Sequence, residues 1–253
     1  MAVDSGGRHG GTVIEAERRI SRRAAFFDVD ETLISAKSMF AFLRYWCARN
    51  GDDGSGYRKK ADELRRIAAS GRPRAEGNRL YYRNFAGARA GDVLAAGREW
   101  YAAYRARPDA FVDAAQAALE RHRAAGDLIV LVSGSFAACL SPLAEDVGAD
   151  TVLCTEPVVS ENGLYTGEVR VAMIGEAKKD AVLATIDGAG LEGASCFAYG
   201  DHVSDADMLN AVGNPVVVGG DPALGRIAAD RGWPVLPSAG APRRTGRCAA
   251  GMR

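Results

Sequence analysis

Two aspartates, Asp28 and Asp30, stand one residue apart directly after the apolar run Ala24–Phe27. A short apolar run of this kind is typical of a buried parallel strand, and open α/β sheets bind ligands at the carboxyl ends of such strands. Two carboxylates this close repel each other unless a cation offsets their charge, and hard oxygen ligands suit Mg²⁺. For the pair taken alone, a solvated loop is the simpler alternative. A calcium loop is excluded because its sixth position requires glycine for a sharp turn, and Leu33 stands there.

Other polar residues follow later apolar runs or open a helix between them. In chain order they are Ser133 and Gly134 after residues 128–132, Lys178 early in a helix, and Asp201 and Asp205 after residues 195–199. The carboxyl ends of parallel strands meet at one edge of a sheet, so these residues can converge on the first acidic pair although they are distant in sequence.

Strands and helices alternate from residue 109 to residue 237, which predicts an α/β fold with a parallel sheet covered on both faces. We expect strands at 24–28, 128–132 and 195–199, and a hairpin whose turn is Asn162-Gly163. Helices are predicted at 57–70, 79–85, 92–107 and 109–125, among others. Because residues 35–108 show helical periodicity and no strand pattern, that block is interpreted as an inserted all-helical cap.

These patterns predict a domain organisation with two parts and two tails. The α/β core comprises residues 23–35 and 108–237, and the helical cap comprises residues 36–107. Residues 1–22 and 238–253 are rich in glycine, alanine or arginine and are predicted to be flexible tails.

The composition excludes several classes of protein. The 253 residues include 32 basic and 32 acidic side chains, so the formal net charge of zero argues against binding to nucleic acid or a membrane surface through bulk charge. Carboxylates directly follow the only short apolar run near the amino terminus, which argues against a signal peptide. Five scattered cysteines without a Cys-x-x-Cys pair argue against a disulfide framework and against a zinc site. We therefore expect a cytoplasmic protein.

The order of these motifs resembles that of the haloacid dehalogenase superfamily. That order is Asp-x-Asp-x-Thr after the first strand (Asp28 to Thr32), Ser133 after the second, Lys178 opening a helix, and Gly-Asp-x-x-x-Asp (Gly200 to Asp205). A helical insertion between the first two motifs is similar to the phosphoserine-phosphatase-like branch. The resemblance implies a Rossmann-like three-layer core with a parallel sheet, a helical cap, and hydrolysis of a phosphomonoester.

The resemblance also implies a role for each motif residue. Asp28 would attack phosphorus to form an aspartyl-phosphate, and Asp30 would act as general acid and then general base. Ser133, the amide of Gly134 and Lys178 would hold the phosphoryl oxygens, with Thr32 bracing this phosphate-binding region; Lys179 is the competing candidate for the lysine. Mg²⁺ would bind Asp28, Asp201 and the main-chain carbonyl of Asp30, and Asp205 would order water or Lys178.

The expected substrate is a small phosphorylated metabolite. Phosphoserine phosphatases carry a glutamate shortly after the first motif, whereas residues 35–38 here contain no acid, which argues against phosphoserine itself. Lys37, Arg79 and Arg83 would favour an acidic or polyhydroxylated substrate if they face the site, and His202 is expected to be structural or to face the substrate. A phosphotransferase or mutase, or a non-catalytic phosphate-binding module, remains an alternative. The sequence does not predict the oligomeric state.

Overall fold

The computed structural model describes residues 23–238 of the 253-residue chain. The predicted tail at residues 1–22, almost all of the predicted tail at 238–253, and Cys248 lie outside the described residues.

Eight strands and nine α-helices lie within residues 23–238. The strands are β1 Ala24–Phe27, β2 Leu128–Ser133, β3 Thr151–Cys154, β4 Glu156–Val159, β5 Tyr165–Val171, β6 Phe197–Gly200, β7 Asn214–Val218 and β8 Val235–Leu236. The helices are α1 Ser38–Arg49, α2 Ser55–Ala69, α3 Arg74–Tyr82, α4 Ala90–Arg105, α5 Asp113–Ala125, α6 Ala137–Val147, α7 Glu176–Gly188, α8 Ala206–Leu209 and α9 Pro222–Arg231. Short 3₁₀ turns at Arg83–Phe85, Gly193–Ser195 and Val203–Asp205 complete the order.

A six-stranded sheet forms the centre of the molecule, in the order β3-β2-β1-β6-β7-β8. Every pair of neighbouring strands in it is parallel. All four residues of β1 are fully buried, and their side chains alternate between two hydrophobic clusters: Ala25 and Phe27 belong to one, Ala24 and Phe26 to the other. Because successive side chains of a strand point to opposite faces, both faces of the sheet are covered. The prediction of an α/β fold with a parallel sheet is confirmed.

Helices α1–α4 form the helical insertion, which lies in the chain between β1 and α5. Between Phe27 and Asp113 the backbone forms isolated bridges but no longer strand. None of the helices within residues 23–238 is long and apolar enough to cross a membrane.

Strands β4 and β5 pair antiparallel in a separate two-stranded sheet, which confirms the hairpin predicted at Asn162-Gly163. This hairpin is bonded to the helical insertion. The Gly87 amide donates to the Tyr165 carbonyl at 2.8 Å, and the Ala90 amide donates to the Gly163 carbonyl at 2.9 Å. No pattern in the sequence predicts this attachment.

All four helices with predicted bounds begin at other residues in the structure, two of them displaced by two residues and two by four or five. The helix predicted at 109–125 begins at Asp113, because the Val112 amide donates to the Leu33 carbonyl at 3.0 Å and Phe111 bridges Ile34. The helix predicted at 79–85 begins at Arg74, directly after Pro73, and passes into the 3₁₀ turn Arg83–Phe85. The proline ring fixes φ close to the helical value, so Pro73 favours the start of a helix at this point.

Candidate active site

The carboxyl ends of β1, β2 and β6 surround a pocket of about 120 Å³. It contains most of the residues that the motifs single out: Asp28, Asp30, Ser133, Gly134, Lys178, Asp201 and Asp205. Thr32 is fully buried and lies beside two of them. The structure therefore brings together four segments that are far apart in the sequence.

Lys178 joins the first and last motifs. Its ammonium Nζ lies 2.5 Å from Asp28 Oδ1 and 2.7 Å from Asp205 Oδ1, and all three side chains are almost completely buried. Burial raises the pKa of Asp28, and the ammonium of Lys178 opposes that shift. Burial alone would lower the pKa of Lys178, but the charges of Asp205 and Asp28 outweigh it and the pKa is raised. The lysine is therefore held as a fixed cation beside Asp28.

Asp30 occupies a different electrostatic environment. Burial is the main cause that raises its pKa to about 7, and the charge of Asp28 acts in the same direction. Its Oδ1 is buried and has no hydrogen-bond partner among the described residues. A carboxyl group with a pKa near neutrality can both give and accept a proton at physiological pH.

Asp201 completes an acidic cluster with Asp28 and Asp205, whose carboxylate oxygens lie within 4.8 Å of one another. The Thr32 hydroxyl lies 3.2 Å from both Asp28 Oδ2 and Asp201 Oδ1. Burial and then the charges of Asp28 and Asp205 raise the pKa of Asp201 to about 8. The buried negative charge exceeds what Lys178 offsets, and the donors are hard carboxylate oxygens. The residues therefore fit a divalent cation.

The loop Ser133–Ser135 after β2 is held by one hydrogen bond within the loop and by another from the helical insertion. The Ser133 hydroxyl accepts from the Ser135 amide at 3.1 Å, and the Ser38 hydroxyl of the helical insertion donates to Ser135 at 2.9 Å. A Cβ at Gly134 would lie 2.5 Å from the side chain of Ile174, so only glycine fits without a shift of that side chain.

The carbonyl oxygen of Gly134 accepts three hydrogen bonds. They come from Asn78 Nδ2 at 2.7 Å, from the Tyr82 hydroxyl at 3.0 Å and from the Thr155 hydroxyl at 2.8 Å. Asn78 and Tyr82 belong to α3, so the helical insertion fixes the backbone of this loop. Sequence analysis missed these residues, because an asparagine or a tyrosine within a helix carries no local signal of such a contact.

Arg74 is the first residue of α3, and its side chain contacts the segment that follows β6. Its Nη1 lies 2.6 Å from His202 Nδ1 and 2.8 Å from the Ser204 hydroxyl. Burial and then the guanidinium of Arg74 lower the pKa of His202. His202 lines the pocket, and its ring nitrogen is engaged by Arg74 and Ser204.

Of the three cations considered for substrate binding, one lies at the pocket. Lys37 lines it and forms an ion pair with Glu31 at 3.1 Å. Glu31 has a φ of 62°, a left-handed backbone conformation that is uncommon for a residue other than glycine. Arg79 donates to the Val169 carbonyl of the hairpin at 2.8 Å, and neither Arg79 nor Arg83 is among the described residues that line the pocket.

The sequence of this chain is similar to a hydrolase family model and to several curated proteins. The model of the family described as haloacid dehalogenase-like hydrolase matches residues 25–210. A probable phosphatase of Mycobacterium tuberculosis is 34% identical over 221 residues, which cover 85% of this chain and 75% of the relative. An inhibition of morphological differentiation protein of Streptomyces azureus is 40% identical over 124 residues. That alignment covers 49% of this chain, and the chain spans only 45% of the length of this relative.

Two solved structures are similar over most of the chain. A protein of unknown function from Bordetella pertussis superposes with a TM-score of 0.75 at 28% identity, covering 85% of this chain and 98% of that one. A substrate-bound phosphoserine phosphatase superposes with a TM-score of 0.64 at 16% identity, covering 85% of this chain and 93% of that one.

Proposed function

Because this chain belongs to the haloacid dehalogenase-like hydrolase family, we propose that it is a Mg²⁺-dependent phosphomonoester hydrolase that works through an aspartyl-phosphate. The substrate would be a small phosphorylated metabolite. The observation that carries the proposal is the buried Asp28–Lys178–Asp205 arrangement, which faces the same pocket as Ser133 and Gly134.

In the first step a carboxylate oxygen of Asp28 attacks phosphorus, and the bond from phosphorus to the alcohol oxygen breaks. Asp30 gives its proton to the departing alcohol. Its pKa of about 7 supports this role, because the acid form is populated near neutral pH. In the second step water attacks the same phosphorus and gives a proton to Asp30. The bond between phosphorus and the Asp28 oxygen breaks, which releases phosphate and restores both carboxyl groups.

The phosphoryl oxygens would be held by the Ser133 hydroxyl, the Gly134 amide and the ammonium of Lys178. Three donors fix the Gly134 carbonyl and with it the Gly134–Ser135 peptide, which directly follows the Gly134 amide in the chain, so this part of the loop is held before the substrate arrives. Donors that are already oriented stabilise transferring charge without a cost of reorganisation.

Mg²⁺ would be held by Asp28, Asp201 and the main-chain carbonyl of Asp30, and its charge would offset that of the phosphoryl oxygens. Asp205 would act by positioning Lys178. Both of its carboxylate oxygens have protein partners, since Oδ1 accepts from Lys178 and Oδ2 from the His202 amide at 3.3 Å.

We further propose that residues 36–107 act as a cap that selects the substrate, since α1 and α3 contribute Met39, Phe40 and Arg74 to the pocket. A cytoplasmic location is supported by the four described cysteines, Cys47, Cys139, Cys154 and Cys196, which are all free.

The nucleophile assignment is tested with the variant Asp28→Asn and p-nitrophenyl phosphate. The loss of the attacking oxygen should lower kcat by about three orders of magnitude or more. Asp180→Asn, on the exposed side of α7, is the matched control and should keep the activity of the unmodified protein. If Asp28→Asn is folded by circular dichroism and still hydrolyses the substrate at a comparable rate, Asp28 is not the nucleophile.

A further inference from the structure

A second cavity, of about 140 Å³, lies between α1, α2 and α3 beside the catalytic pocket. Leu64, Ile67, Pro73, Gly77 and Tyr81 belong to its wall, which is mostly apolar. The mechanism proposed above makes no use of this cavity.

The two cavities adjoin and share part of their lining. Met39, Phe40, Arg74 and Ile174 line both of them. An alcohol group attached to a phosphate beside Asp28 would pass these four side chains to reach the second cavity.

The polar groups of the second cavity are already engaged elsewhere. Asn78 donates to the Gly134 carbonyl, and the Tyr81 hydroxyl donates to the Met39 carbonyl at 2.8 Å. Arg74 is bonded to His202 and Ser204, and Arg72 lies 3.7 Å from Glu76. No aspartate or glutamate is among the described residues that line this cavity, so it offers no partner to the ammonium of an amino acid.

The geometry points to a substrate class: we propose that the enzyme hydrolyses phosphomonoesters whose alcohol carries an apolar group of about six carbon atoms, bound in this second cavity. An apolar cavity of about 150 Å³ is large enough to bind benzene, which sets the size of the group. This inference rests on the proposed phosphatase function. The inference concerns only the alcohol part of the substrate. The phosphoryl group is transferred to water as described above.

The test is a homologous series of linear alkyl phosphates, from ethyl to hexyl phosphate, with kcat/KM measured for each. Burial of each added methylene should raise kcat/KM about threefold to fourfold. Phosphoserine serves as the polar comparison and should be a poorer substrate than butyl phosphate.

The variant Gly77→Leu places a side chain inside the cavity. A Cβ at Gly77 meets only Ile67, at 3.8 Å, so α3 can carry a larger residue whose side chain fills the space. The ratio of kcat/KM for hexyl phosphate to that for ethyl phosphate should fall by about tenfold or more. Gly225→Leu, within α9 and with open space around its Cβ, is the matched control and should leave the ratio unchanged.

Ile67→Asp is a second variant in case Gly77→Leu does not fold. It places a charge on the half-buried far wall of the cavity and should also lower the hexyl-to-ethyl ratio. A flat or falling alkyl series would overturn this inference and leave the phosphatase function standing. A steep series that neither variant alters would overturn the assignment to this cavity. If no phosphomonoester is hydrolysed at all, ethyl and p-nitrophenyl phosphate included, the proposed function itself fails.

Discussion

Among single residues, Lys178 offsets part of the negative charge of the site. It is 4% exposed and pairs with two buried carboxylates, which would otherwise repel each other at short range. A buried ion pair is expensive to desolvate, and the removal of one partner leaves an uncompensated charge. Lys178 therefore supports the stability of the site as well as the chemistry proposed for Asp28.

Within residues 23–238, Asp201 forms no ion pair with a cation, and from this we predict its role in metal binding. Asp201→Asn should raise the Mg²⁺ concentration required for half-maximal activity by about 10- to 100-fold or more, because one carboxylate ligand is lost. The measurement is phosphatase activity titrated with MgCl₂ after treatment with EDTA, which should abolish activity until Mg²⁺ is added.

Asp207→Asn, on the neighbouring helix α8, is the control for the loss of a carboxylate near the site. It should require the same Mg²⁺ concentration for half-maximal activity as the unmodified protein. Activity that persists after complete chelation would contradict a requirement for a metal ion. If Asp201→Asn and Asp207→Asn require equal Mg²⁺ concentrations for half-maximal activity, Asp201 is not a metal ligand, although the requirement for Mg²⁺ itself would stand.

At the scale of elements, helix α4 fixes the helical insertion to the core through close contact with α6. The Tyr101 hydroxyl donates to Asp146 at 2.8 Å, and Arg98 pairs with Glu145 at 2.9 Å. The backbones approach closely at Gly97, where an added Cβ would lie 1.9 Å from the carbonyl oxygen of Ala138. Helix α6 directly follows the Ser133–Ser135 loop, so this contact supports one wall of the active site.

We therefore predict that Gly97→Ala lowers the free energy of unfolding by about 1–3 kcal/mol, since α4 and α6 must separate to admit the methyl group. Gly91→Ala is the matched control in the same helix. Its Cβ meets no atom within 4 Å, so the change should be neutral or should stabilise by up to about 1 kcal/mol. Urea unfolding followed by circular dichroism measures both values. Similar stabilities for the two variants would show that the close approach imposes no constraint.

The elements also show what the sequence can predict. The run Ala24–Phe27 is apolar on both faces of its strand, and this was sufficient to predict a buried parallel strand with Asp28 at its end. The motif order predicted the family and the enzyme class, and both are confirmed. The roles assigned to the motif residues stay predictions.

Other features depend on tertiary contacts that leave no periodic pattern. The start of α5 at Asp113 is set by bonds from Phe111 and Val112 to the segment after β1. The hydrogen bond from Asn78 to Gly134 joins residues 56 positions apart in the sequence. Neither could be derived from local propensity, because each exists only once the helical insertion packs against the core.

At the scale of the whole molecule, an aromatic cluster connects the helical insertion to the sheet. Phe136 follows the Ser133–Ser135 loop, and its ring centroid lies 5.7 Å from that of Phe42 in α1, 5.2 Å from Tyr82 in α3 and 5.4 Å from Phe85. All four rings are almost completely buried and belong to one hydrophobic cluster, which also contains Phe27 and Leu131 of the sheet. The insertion therefore shares its hydrophobic core with the α/β part of the chain.

From this shared core we predict that the helical insertion and the sheet unfold together. The three tryptophans provide the measurement, because Trp46 and Trp100 lie in the insertion and Trp233 lies just before β8. Two variants are needed, one that retains only Trp100 and one that retains only Trp233, with phenylalanine at the other two positions. In each variant the urea midpoint from tryptophan fluorescence should coincide with the midpoint from far-ultraviolet circular dichroism, as a cooperative transition requires. Because both probes report on the same variant, any destabilisation by the substitutions cancels. A Trp100 transition at lower urea than the circular dichroism transition would mean that the insertion unfolds first, and the aromatic cluster would then not couple the two parts.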